Sequence, residues 1–172
     1  MKCMSRSLAL ICVLLLLGSS ALRAQATDQE RLLAGIRSND TKAIASILQQ
    51  QPALCDSSYT SSNGWFSTVT AYPIHEALRY GNTATINQLL DLGADPARVE
   101  ETSAMLSSRQ RSCLEILVAY RDLDMLTTFI DRVAVSPEGY TRALLVASQD
   151  KDAAKVKFLL SLGEKYLLKE DK

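Results

Sequence analysis

The sequence predicts an all-α repeat solenoid, a stack of about four helix pairs from which one β-hairpin protrudes. Three observations point there. The stretch from Tyr72 to Pro96, YPIHEALRYGNTATINQLLDLGADP, holds two short helical patterns, each with its apolar residues on one face. The same pattern recurs three more times along the chain, as repeat architectures require. Asn63-Gly64, set among β-favouring residues, is a strong hairpin signal between two of the recurrences.

The chain has 172 residues, 19 of them basic and 19 acidic, so one domain is expected and the balanced charge gives no electrostatic reason to expect nucleic acid. At its start, Lys2 and Arg6 precede an unbroken apolar run, Leu8 to Leu17, and Ala24-Gln25-Ala26 then has the small-x-small form of a cleavage site. Residues 1–26 read as a secretory signal peptide, since the run is well short of the roughly 20 residues a spanning helix needs. Cys12 lies inside the run rather than at the cleavage site, which argues against a lipoprotein. Cleavage after Ala26 leaves 146 residues with 16 basic and 19 acidic side chains, a charge of −3. No later run is long enough to span a bilayer, so no stable membrane insertion is expected.

The repeat domain is expected over 27–172, with units near 28–54, 72–97, 112–135 and 140–165. In the central unit Pro73 opens a helix whose Ile74, Ala77 and Leu78 share a face, and Gly81 ends it. Asn82 caps a second helix carrying Ile86, Leu89 and Leu90, and Gly93 closes it in the left-handed region. Moved back by 42 residues, these apolar positions become Leu32, Ile36, Ile44, Ile47 and Leu48. Moved forward by 40, they become Leu114, Leu117, Val118, Leu126, Phe129 and Ile130. Moved by 70, they become Leu144, Ala147, Val156, Leu159 and Leu160, with Gly93 on Gly163. The cap position, not used to choose these shifts, lands on Asp40, Asp122 and Asp152. In the third unit a second register also fits, with 104–106 in the first helix and Leu114 to Val118 in the second.

Proline, an apolar residue and histidine, then alanine, glycine, paired leucines and Gly-Ala-Asp make the central unit resemble an ankyrin repeat. The resemblance implies a binding module whose partner is another protein, with no cofactor, no metal and no catalysis. With the style of the signal, it also implies export to the periplasm and a chain that is monomeric alone. In such proteins partners are met by hairpin tips and by the last turn of the first helices. On this chain that ridge holds Arg37, Arg79, Tyr80, Tyr120 and Gln149. His75, the only histidine, matches the family's structural histidine, although Tyr72 stands where its usual threonine partner would be. The partner classes implied are a secreted toxin or hydrolase held by an immunity or inhibitor protein, or an envelope or oxidative-stress enzyme supported by a scaffold.

The spacings between units are 42, 40 and 30 residues, against the roughly 33 such repeats need, so the extra length falls in the first two connections, as insertions. The first, Cys55 to Tyr72, is expected to form the protruding hairpin, with Tyr59, Trp65, Phe66 and Tyr72 as an aromatic contact patch. Trp65 or Phe66 folding back onto the neighbouring finger is the alternative. The second, Ala97 to Ser112, is expected to hold a short helix around Thr102 to Ser108, with its charges in a solvated loop. Cys55 and Cys113 sit at the roots of adjacent insertions and are either two free thiols or, in an oxidising compartment, a disulfide. One histidine and the lack of a phosphate loop or clustered carboxylates leave no catalytic constellation.

Overall fold

A computed structural model describes residues 28–62, 67–105 and 107–166. The expected signal peptide, the turn expected at 63–64, and Trp65 and Phe66 of the expected contact patch therefore lie outside the described residues. The helices form four pairs: α1 (28–38) with α2 (Thr41–Gln50), α3 (Pro73–Tyr80) with α4 (Thr83–Asp91), α5 (Cys113–Tyr120) with α6 (Leu123–Phe129), and α7 (Pro137–Gln149) with α8 (Ala153–Tyr166). None of the described helices is long and apolar enough to cross a membrane.

Each second helix starts where an Asp or Asn satisfies a free first-turn amide. Asp40 accepts from Ala43 N, Asn82 from Thr85 N, Asp122 from Met125 N and Asp152 from Lys155 N. The apolar stripes meet in one core that includes Leu32, Ile36, Ile44, Ile74, Leu78, Ile86, Leu89, Leu114, Leu117, Phe129 and Leu159. Packing of α3 on α5 and of α5 on α7 runs this core through the stack. Leu117 is fully buried where the central unit has alanine, and α7 brings the small buried Ala143 and Ala147 to the next layer. Leu160, which corresponds to the half-buried Leu90, is exposed.

The expectation of an all-α solenoid is overturned by a four-stranded antiparallel sheet, which makes the fold mixed α and β. The first hairpin is present as β1 (Tyr59–Ser62) and β2 (Ser67–Ala71). The second insertion, read as a short helix near Thr102 to Ser108, is a second hairpin of β3 (Val99–Ala104) and β4 (Ser107–Ser112). The competing register for the third unit fails with it, since 104 lies in a strand and Leu114 to Val118 lie in the first helix of the pair.

The two hairpins do not project separately. They join through β2 and β3, with Val69 opposite Thr102 and Thr70 opposite Glu101, giving the order β1-β2-β3-β4. Neither VEETSA nor SSRQRS alternates apolar with polar residues, so the strand period was not visible in them. Pairing with the β-branched β2 and burial of Glu100 hold this segment as strands.

The terminators also differ from expectation at one place. Gly93 ends α4 at φ +96°, with Ala94 N bonded back to Leu89 O. Its counterpart Gly163 lies inside α8, where the absence of a Cβ makes room for the Tyr140 ring, whose hydroxyl donates to Leu159 O at 2.8 Å.

Candidate protein-docking face

The last turns of α1 and α3 carry Arg37, Arg79 and Tyr80, and the sheet rises beside them. Alternation along the strands places Tyr59, Ser61, Val69, Ala71, Glu100 and Arg111 on one face, because Tyr59 opposes Ala71, Ser61 opposes Val69 and Glu100 opposes Arg111. Between helix ends and sheet lies a concave pocket of about 250 Å³, lined by Arg37, Tyr59, Val69, Glu76, Arg79, Tyr80 and Arg111 among others. That is below the roughly 300–1,000 Å³ of small-molecule pockets, and its lining is polar.

Two carboxylates hold its arginines: Glu76, which lines it, and Glu100, which is fully buried. Glu100 is 0% exposed, and Arg79 donates to its Oε2 while Arg111 donates to Oε1 from Nε at 2.9 Å and from Nη2 at 2.5 Å. Burial would raise the Glu100 carboxyl, but the two guanidiniums outweigh that and hold it below its ordinary value. Glu76, 4% exposed, accepts from Arg37 Nε and from the Tyr59 hydroxyl at 3.0 Å. Burial first, and then the Glu76 charge, push the Tyr59 phenol up, so it stays a donor. The expectation that the charges of the second insertion sit in a solvated loop therefore fails for Glu100, the most buried charge in the sheet.

At the rim stand two tyrosines at equivalent positions of successive repeats, Tyr80 (55% exposed) and Tyr120 (48% exposed). The Arg79 guanidinium lies 5.5 Å from the Tyr120 ring centroid. Burial would raise the Tyr120 phenol, but Arg111 and Arg79 beside it hold it below its ordinary value, a sign of local positive potential. Four of the residues expected at an interface, Arg37, Tyr59, Arg79 and Tyr80, thus line one pocket, and Tyr120 adjoins it.

Tyr72 does not line this pocket. It is half-buried under Arg98, whose guanidinium lies 5.1 Å from its ring and is paired with Asp56 through Nε at 3.0 and 3.1 Å. Next to it, His75 Nδ1 accepts from Tyr72 N at 3.2 Å and Nε2 faces Arg98 O at 3.0 Å, which requires the neutral ring with its proton on Nε2. The lost threonine partner is replaced by a backbone amide, and the histidine links α3 to the next finger. Gln149 is exposed at the end of α7 and is not among the pocket's lining residues.

Both Cys55 and Cys113 are buried free thiols, directed to different carbonyls, Leu89 O at 3.6 Å and Arg98 O at 3.7 Å. Burial, chiefly, pushes them up to about 11 and about 12. Glu76, Glu100 and Arg111 are the site residues that sequence reasoning missed. Glu76 had one available signal: it lies three residues before Arg79 and four before Tyr80, hence on the same helical face.

Among the described residues no group of histidines, cysteines or carboxylates could hold a metal ion. A scan of the chain against protein-family models finds no match, and a search of curated proteins finds none.

Proposed function

We propose that this chain is an exported, ankyrin-like protein-binding module that docks its partner against the pocket between the helix ends and the sheet. The observation that carries the reading is the convergence of Arg37, Tyr59, Arg79 and Tyr80, from three separate elements, on one concave face rimmed by exposed tyrosines. Tyrosine and arginine are the residue types that dominate interface energetics, and here Arg79 is pre-positioned by the buried Glu100, and Arg37 and Tyr59 by the buried carboxylate of Glu76, which lowers the ordering cost of association. The role we propose is an immunity or inhibitor protein holding a secreted toxin or hydrolase in the periplasm.

The test is a pull-down from a periplasmic extract with the full chain, expressed with its own leader and a C-terminal tag, beside a Tyr80→Ala/Tyr120→Ala double variant. One stoichiometric enzyme captured by the native chain and lost with the double variant supports the proposal. A spread of envelope proteins would instead favour a scaffold for an envelope or oxidative-stress enzyme. Undiminished capture by the folded double variant would remove this face from consideration. Trp65→Ala, run in parallel, tests the contribution of the hairpin tip.

A further inference from the structure

Within the pocket the balance of donors and acceptors is uneven. All four carboxylate oxygens are already bonded: Glu100 Oε1 and Oε2 by Arg111 and Arg79, Glu76 Oε1 and Oε2 by Arg37 and Tyr59. The guanidiniums are not used up. Arg37 donates through Nε alone, and among the described residues neither of its Nη groups has an acceptor. Arg111 uses Nε and Nη2, both on the same oxygen, and also lies beside the Tyr120 hydroxyl. The charges do not cancel either, since Arg37, Arg79 and Arg111 face only Glu76 and Glu100. Arg79 and Arg111 are moreover only 10% and 25% exposed at the side chain, so water screens this excess incompletely. Ser61 and Ser62 also line the pocket, and their hydroxyls can add donors. A group that brings acceptors and one negative charge would complete the arrangement, and a planar carboxylate matches the fork of a guanidinium.

We propose that the pocket takes one carboxylate of the partner protein, an aspartate or glutamate side chain or the chain's own terminus, between Arg37 and Arg111. This rests on the reading of the face as a protein-docking surface. It adds the partner's chemistry: an acidic residue projecting from the bound segment, flanked by apolar or aromatic groups that meet Tyr80 and Tyr120.

The probe is a blocked hexapeptide of alternating glutamate and tyrosine, compared with its glutamine–tyrosine counterpart and with a tyrosine–glutamine peptide ending in a free carboxylate. Each is titrated into the full-length 15N-labelled protein while backbone and arginine side-chain resonances are followed. Shifts at Arg37, Ser61 and Arg111 are expected with the glutamate peptide, binding about tenfold or more tighter than the glutamine one and weakening as salt rises. A carboxylate-ended peptide that alone binds would assign the pocket to a chain terminus rather than a side chain. Equal affinity for the blocked glutamate and glutamine peptides without binding of the carboxylate-ended one, shifts confined to other surfaces, or no shift with any of the three at millimolar peptide would overturn the inference. Arg37→Gln is expected to reduce binding by a similar factor, with its fold checked by thermal melting. Partner capture that depends on Tyr80 and Tyr120 but is indifferent to Arg37→Gln would also sink the carboxylate inference while leaving the docking face intact.

Discussion

Two buried residues set the sharpest expectations at the level of single side chains. His75 is the only histidine and is held neutral between Tyr72 N and Arg98 O. Burial lowers its pKa and outweighs the raising effects of the Arg98 carbonyl and Glu100, while the Arg79 and Arg111 charges add smaller lowering effects. The unfolded chain then binds more protons at mildly acid pH, so stability is complete above about pH 6.5 and falls as pH drops below it, by at most about 1.4 kcal/mol per unit. Urea midpoints between pH 7 and 5 should decline for the native chain and stay nearly level for His75→Asn. Glu100 is the second case. Glu100→Gln leaves Arg79 and Arg111 poorly solvated and unpaired, which should cost about 3 kcal/mol in urea unfolding. The role of Glu100 does not follow from the sequence alone, because it meets Arg79 only across 21 residues of chain.

The secondary-structure elements divide by how local their determinants are. Asp40, Asn82, Asp122 and Asp152 were legible because a cap acts on an amide three residues away. The β3–β4 hairpin was not, since its strands are specified by the neighbouring β2 rather than by their own pattern. The first helices also end in two ways. The inner ones, α3 and α5, stop at extended residues, Gly81 and Arg121, whereas α1 and α7 stop at left-handed Asn39 and Lys151, both at φ 58°. Asparagine tolerates this region, and lysine does so at a cost. Lys151→Gly should therefore stabilise the protein by about 1 kcal/mol, readable as a raised urea midpoint. The equivalent change at Asn39 should not help, because its side-chain oxygen also accepts from Asn82 N and from Thr85 Oγ1.

For the molecule as a whole, Cys55 and Cys113 report on opening of the stack, since both lie in the continuous core. With thiols pushed up to about 11 and about 12 by burial, alkylation at pH 8 should be negligible in the native state and complete in urea. Labelling in urea that appears only after reduction would instead show that the protein carries a bridge. The sheet has a further property at this scale. Its two outer strands are occupied near their roots by helices at opposite ends of the chain: Gln29 of α1 donates to Ser57 O and Ser58 O beside β1, and Arg142 of α7 donates to Gln110 O on β4. One molecule's β4 could otherwise pair with the β1 of the next, a head-to-tail contact that propagates instead of closing. These two side chains act as end-stops against filament growth, so Arg142→Ala should make light scattering rise with concentration while the native chain's stays flat.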